Sequence, residues 1–214
     1  MEWYEADIRE LEDRVKEIQA PCPAVFYGSS SIRMWDTLAE DLDVPNAVNA
    51  GFGGSTLEAC VYFFDRLIPP LQPASLVVYA GDNDLGDDKS PEQVLTSFRA
   101  LTVMVERKLG PIPFGFISIK ASPARFGIVD RIRRANALIQ AEIENLPSVY
   151  WIDVFAAMLD GSGKPRAELF LEDGLHLSRS GYRVWAERLT PYRNRIVIED
   201  CRDIDAGRIS LQKA

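Results

Sequence analysis

The amino-acid sequence predicts an α/β protein in which helices cover both faces of a parallel sheet of five strands. Five short apolar runs lie along the chain, and helical patterns separate each run from the next. The chain has 214 residues, of which 47% are hydrophobic, and this is enough for one domain with a substantial core. Right-handed crossovers between such strands produce a doubly wound open sheet.

The predicted strands are short, mainly apolar runs of five to eight residues. They cover residues 23–28, 44–50, 75–80, 112–119 and 148–152. Strands of this kind are typical of a parallel sheet that is buried on both faces.

Helical spacing of apolar residues predicts the elements between the strands. An amphipathic helix opens the chain, with Ile8, Leu11, Val15 and Ile18 on one face. The other predicted helices cover residues 32–42, 56–68, 90–105, 128–146 and 178–192. We expect a single domain over residues 1–214, with an N-terminal helical segment at 1–20 and a C-terminal tail at 196–214.

Composition restricts the compartment and the partners. A net charge of −8 and a pI near 4.8 argue against nucleic acid or an anionic membrane as a partner. The first residues are acidic and amphipathic, which is unlike a signal peptide, and no run reaches the roughly 18 apolar residues of a membrane span. Cys22, Cys60 and Cys201 have no metal-ligand spacing, so we expect reduced thiols in a cytoplasmic protein.

Four polar segments that contain glycine follow predicted strands. GSSS follows the first strand, GFGGS the second and GDND the third, while the segment DGLH lies after the fifth. In doubly wound sheets the functional loops gather beyond the carboxyl ends of the strands. The four turns are therefore expected to meet at one edge of the sheet.

The turn after the fifth strand contains His176, the only histidine of the chain, three residues after Asp173. A histidine side chain can exchange a proton near neutral pH, and a nearby carboxylate can fix its tautomer as in a Ser-His-Asp triad. Taken alone, a single histidine is more often an ordinary surface or core residue. A catalytic role needs a nucleophile and an oxyanion hole elsewhere in the chain.

The turn after the first strand offers three candidate nucleophiles, Ser29, Ser30 and Ser31, behind Gly28. A serine at a helix N-terminus has free backbone N–H groups and the helix dipole nearby, which favour a developing negative charge. The same pattern also fits a helix cap or a phosphate-holding loop. The G-x-S-x-G elbow of α/β-hydrolases is absent, because Ile32 stands at its last glycine.

The two remaining turns have structural and functional interpretations. Gly51 to Gly54 can form a tight turn or leave a backbone N–H open toward a reacting centre. Asn83 can build a turn or donate its amide N–H to an oxyanion.

Together the segments GSSSI, NAGFGGST, GDND and DGLHL resemble, in order, the four conserved blocks of the SGNH hydrolases, also called GDSL-type esterases and lipases. The resemblance spans roughly residues 24 to 190. It implies a flavodoxin-like three-layer α/β/α sandwich and the hydrolysis of esters or thioesters without a metal or other cofactor. It also implies that Ser30, Asp173 and His176 are the catalytic residues.

The resemblance further implies an oxyanion hole formed by the backbone N–H groups of Ser30 and Gly54 and by the Asn83 side chain. One departure is visible, since Ser29 stands where the family usually has aspartate and Ser31 where it usually has leucine or isoleucine. The usual aspartate is not a triad member, so the chemistry does not depend on it, but the choice of Ser30 rests on the block alignment.

We expect a serine esterase whose partner is a small soluble ester, with an O-acetylated sugar as the favoured example. The enzymatic alternatives are a thioesterase or a lysophospholipase, which would need an apolar groove for a long acyl chain. The non-enzymatic alternative is a flavodoxin-like flavin-binding module, which would leave Asn83 and the Asp-x-x-His pair without a role. The sequence does not determine the oligomeric state.

Overall fold

The computed structural model describes residues 1–18, 20–198 and 201 and contains a five-stranded sheet. All four pairs of neighbouring strands run parallel, in the order β2-β1-β3-β4-β5. The strands are β1 (Ala24–Gly28), β2 (Ala47–Gly51), β3 (Ser75–Tyr79), β4 (Phe114–Ile117) and β5 (Val149–Ile152). Each lies inside or within one residue of a predicted run.

Helices connect the strands and flank the sheet. They are α1 (Glu5–Glu17), α2 (Ser30–Arg33), α3 (Leu38–Leu42), α4 (Leu57–Leu67), α5 (Asp82–Gly86), α6 (Pro91–Leu109), α7 (Val129–Ile143), α8 (Arg179–Leu189) and α9 (Arg193–Ile196). Short 3₁₀ helices lie at Glu2–Tyr4, Pro69–Leu71, Pro123–Ile128, Ala156–Met158, Ala167–Leu169 and Thr190–Tyr192.

The sheet separates two buried clusters of apolar side chains, one on each face. One cluster joins α1, α4, α6 and α7 to the sheet, and the other joins α2, α3, α8 and α9 to it. The strand order is the flavodoxin-like order, in which the chain reverses its direction of winding between β1 and β3. The predicted three-layer α/β/α fold is confirmed.

The helix predicted over residues 32–42 is wrong as a single element. Two short helices, α2 and α3, replace it because the chain turns between them to bury Trp35, which stacks on Tyr182 of α8 with 5.1 Å between ring centroids. Asp41 stabilises the break by accepting hydrogen bonds from the Trp35 indole at 2.8 Å and the Thr37 hydroxyl at 2.7 Å.

The expectation of three reduced thiols is wrong for two of them. Cys22 and Cys201 form a disulfide across a sequence separation of 179 residues, since the chain returns after α9 to the start of β1 and brings their Cα atoms within 5.6 Å. Cys60 is a buried free thiol. The cysteines therefore no longer support the cytoplasmic location, which stays a prediction.

The predicted C-terminal tail begins with packed residues. Ile196 and Ile198 are buried, and the Ser75 hydroxyl donates a 2.6 Å hydrogen bond to the Ile196 carbonyl. In the rest of that tail, residues 199–200 and 202–214 lie outside the described residues. Within the described part of the chain, no helix has the length and apolar character needed to cross a membrane.

Candidate active site

Ser30 begins α2, directly beyond the carboxyl end of β1, at a turn that requires glycine. Gly28 has φ +131°, and a Cβ atom there would lie 1.9 Å from the Tyr79 carbonyl oxygen of the adjacent strand. The Ser29 N–H donates to the same oxygen at 2.9 Å, which fixes the chain as it leaves the sheet. As a result the chain turns sharply and presents Ser30 at the first position of the helix.

The loop that contains Asp173 and His176 is closed by a backbone hydrogen bond and leads into a capped helix. The Leu171 N–H donates to the His176 carbonyl at 2.8 Å, and Ser178 caps the following helix α8. The Asp173 Oδ1 atom accepts the N–H groups of Leu175 at 2.8 Å and His176 at 2.9 Å. The aspartate is therefore fixed by its own loop before it contacts the imidazole.

A chain of hydrogen bonds joins the three predicted catalytic residues. His176 Nε2 lies 3.1 Å from Ser30 Oγ, and His176 Nδ1 lies 2.6 Å from Asp173 Oδ2. The bond from His176, aided by the two backbone N–H groups, lowers the pKa of Asp173 to about 2. The aspartate is thus ionised throughout the neutral range and favours the tautomer that carries its proton on Nδ1 and leaves Nε2 facing the serine.

Hydrogen bonds join the turns that contain Gly54 and Asn83, which follow β2 and β3 on either side of β1. The Phe52 N–H donates to the Gly28 carbonyl at 2.9 Å, so the turn after β2 lies beside the serine turn. Asn83 Nδ2 donates to the Ser55 carbonyl at 3.0 Å, which joins the third predicted turn to the second. The backbone N–H groups of Ser30 and Gly54 donate no hydrogen bond to any of the described residues.

Ser29 and Ser31 flank Ser30 but face the interior. Both are 1% exposed, and the Ser31 carbonyl accepts a 3.1 Å hydrogen bond from the Tyr182 hydroxyl of α8. The Ser29 hydroxyl has no hydrogen-bond partner within the described residues. Of the three serines, Ser30 is the one whose hydroxyl contacts His176.

Two groups of residues at the site were not identified from the sequence. At the N-terminus, the Tyr4 hydroxyl donates to the Gly54 carbonyl at 3.0 Å, and the exposed Trp3 ring occupies the space that a Cβ atom of Gly54 would need. After β4, Arg125 Nη2 donates to Asn83 Oδ1 at 2.9 Å. Arg125 could have been found from the sequence, because functional loops gather beyond the carboxyl ends of the strands and β4 also ends at this edge. No spacing of residues pointed to Trp3 or Tyr4.

The chain is similar to known proteins in both sequence and fold. The model of the GDSL-like lipase/acylhydrolase family matches residues 9–184. A GDSL-like lipase from Bacteroides thetaiotaomicron is 19% identical and aligns over 90% of this chain and 99% of its own, with a TM-score of 0.73. Among curated proteins, none matches the chain in sequence.

Two other solved structures share the fold. LAE5, an α/β hydrolase from the metagenome of Lake Arreo in Spain, is 15% identical, with 85% of this chain and 99% of that chain covered and a TM-score of 0.69. A carbohydrate esterase family 3 structure from Talaromyces cellulolyticus is 13% identical, with 78% and 94% covered and a TM-score of 0.65. At these identities the likeness is one of fold.

Proposed function

This chain belongs to the GDSL-like lipase/acylhydrolase family, and from that premise we propose that it is a serine esterase that forms an acyl-enzyme on Ser30. The prediction of a hydrolase that acts on ester bonds is confirmed at the level of the family. The observation that carries the finer proposal is the continuous hydrogen-bonded chain from Ser30 Oγ through His176 to Asp173.

In the proposed mechanism, Ser30 Oγ attacks the ester carbonyl while His176 Nε2 accepts its proton. The Asp173 carboxylate stabilises the imidazolium that forms, and His176 then protonates the departing alcohol oxygen. Water repeats the sequence with His176 again as the base, which releases the carboxylic acid and restores Ser30.

The proposed oxyanion hole takes the negative charge of both tetrahedral intermediates. Its donors would be the backbone N–H groups of Ser30 and Gly54 and the second N–H of Asn83 Nδ2. The first N–H of that amide is used by the Ser55 carbonyl, so one remains for the reacting oxygen. Donors held in place before the reaction stabilise the charge without reorganisation.

For the substrate we propose a small soluble ester, with an O-acetylated sugar as the example to test first. A groove for a long acyl chain could have Phe52, Phe126 or Phe170 as a wall, but Phe52 and Phe170 are 1% and 6% exposed and belong to the core. Of the three, only the half-buried Phe126 is left as a wall for a long acyl chain, and we therefore favour a short acyl group. In the same assay, acetyl-CoA tests the thioesterase alternative, and the octanoate ester tests the preference for a longer acyl chain that a lysophospholipase would show.

The test is hydrolysis of p-nitrophenyl acetate, p-nitrophenyl octanoate, acetyl-CoA and an acetylated monosaccharide by the wild-type protein and by Ser30→Ala. We expect acetate esters to be cleaved faster than octanoate and Ser30→Ala to be inactive on all of them. A preference for octanoate would contradict the small acyl group. Equal turnover by Ser30→Ala would contradict the acyl-enzyme on Ser30.

A further inference from the structure

A side chain outside the four predicted turns contacts the proposed oxyanion donor directly. Arg125 lies in the 3₁₀ segment Pro123–Ile128 that follows β4, and its Nη2 donates to Asn83 Oδ1 at 2.9 Å. On the other side of the same amide, Asn83 Nδ2 donates to the Ser55 carbonyl at 3.0 Å. The amide of Asn83 is therefore held from both ends.

These two contacts allow one orientation of the amide. If Asn83 were flipped, its NH₂ group would face the guanidinium, which has only donors, and its oxygen would face the Ser55 carbonyl, which is an acceptor. With the oxygen on Arg125, the remaining N–H of Nδ2 is free for the reacting oxygen. A cation on the amide oxygen also draws electron density from the nitrogen and so strengthens that N–H as a donor.

Arg125 is itself held in place by charged neighbours. Its Nη1 forms an ion pair with Asp82 Oδ2 at 3.2 Å, and the buried Lys120 Nζ donates to the same oxygen at 2.7 Å. These three side chains carry two positive charges and one negative charge. Burial alone would raise the pKa of Asp82, but the two cations outweigh burial and lower it.

The Arg125 guanidinium occupies space that a side chain at Gly86, the last residue of α5, would fill. A Cβ atom there would lie 2.9 Å from both Cζ and Nη2 of Arg125. In addition, the neighbouring Ala124 N–H donates to the Gly174 carbonyl at 3.0 Å, within the loop that contains Asp173 and His176. The segment after β4 thus joins the proposed acid–base loop to the proposed oxyanion donor.

We propose that Arg125 is a positioning residue for ester hydrolysis, which fixes and polarises the Asn83 amide so that its free N–H is aimed at the oxyanion. The inference rests on the proposed function, because it assigns a role through Asn83. In this role Arg125 does not contact the substrate. It contributes only to the stabilisation of the transition state, through the Asn83 amide.

The test compares Arg125→Met with the wild type in the hydrolysis of p-nitrophenyl acetate. Loss of a whole oxyanion donor lowers kcat by about 10²–10³-fold, so loss of its orienting partner should lower kcat by about 10–100-fold, with KM changed by less than about threefold. The control is Arg131→Met, which removes another arginine of the same region. Arg131 donates hydrogen bonds to Asp88 and to the Lys89 carbonyl and does not contact Asn83, so this variant should keep wild-type kcat.

A double-mutant cycle separates positioning from a general structural effect. In the Asn83→Ala background, Arg125→Met should cause less than about a twofold further loss, because the amide through which it acts is gone. Equal losses in both backgrounds would overturn the inference, as would wild-type kcat in Arg125→Met. If Ser30→Ala and Asn83→Ala both keep wild-type activity, the proposed function fails instead, whatever Arg125 does.

Gly86→Ala provides a second variant that keeps Arg125 in the chain. The new methyl group would displace the far end of a flexible side chain, and Gly86 has no positive φ, so we expect a folded protein. Its kcat should fall in the same direction as that of Arg125→Met, and this loss should also disappear in the Asn83→Ala background. A loss of melting temperature with unchanged kcat in Gly86→Ala would overturn the inference.

Discussion

The buried carboxyl of Asp84 makes the stability of this protein depend on pH in a way that one substitution should remove. Asp84 is fully buried at the start of α5, and its Oδ2 accepts the Leu57 N–H at 2.8 Å, while Oδ1 has no hydrogen-bond partner in the described residues. Burial raises the pKa of Asp84 from the ordinary 3.8 to about 6, against the opposing effect of the Leu57 N–H.

The sign follows from proton binding. Between pH 3.8 and about pH 6 the unfolded chain has lost the Asp84 proton and the folded chain still holds it, so the free energy of unfolding falls as pH rises through this window. A pKa difference of about two units corresponds to a loss of about 3 kcal/mol once pH is well above 6. Asp84→Asn cannot ionise and should not show this loss.

We therefore compare the free energy of unfolding of Asp84→Asn with that of the wild type. The value for the variant minus the value for the wild type should increase by about 3 kcal/mol from pH 3.5 to pH 8. For a domain of this size that is a relative change in melting temperature of roughly 6–12 °C. Calorimetry or circular dichroism melts at several pH values measure it, with Asp87→Asn, an exposed neighbour on the same turn, as the matched control. A difference that does not change with pH would refute the reasoning.

The remaining predictions concern the reaction. An organophosphonate probe should label Ser30 once per chain and keep labelling Ser29→Ala and Ser31→Ala, and a peptide map with the adduct on either neighbour would contradict the assignment. His176→Ala should lower kcat by at least about 10⁴-fold. The hydrogen bond from His176 lowers the pKa of Asp173 to about 2, so this carboxylate should stay ionised and its protonation should not lower kcat/KM between about pH 5 and pH 8, which a pH–rate profile checks. Asn83→Ala should lower kcat by about 10²–10³-fold with little change in KM, whereas reduced melting temperature with normal kcat would make it a turn residue.

The sequence alone was enough to predict the sheet and the edge of it at which Ser30, Asp173 and His176 lie together. The predicted strands are short apolar runs, and the three central strands, β1, β3 and β4, are buried at every position, as that local composition predicts. The positions of Ser30, Gly54, Asn83, Asp173 and His176 followed from blocks whose residues are close together in the chain. Parallel strands then bring those blocks to one edge, whatever the details of packing.

The tertiary structure decided the features that depend on contacts between distant segments. The break between α2 and α3 comes from burial of Trp35 against Tyr182 of α8, and the disulfide joins Cys22 to a residue 179 positions later. The Asn83 amide oxygen accepts a hydrogen bond from Arg125, 42 positions away. Local composition contains no record of these pairings, because each depends on which side chains the folded chain brings within a few ångströms of one another, and hydrogen bonds and packing act only at that range.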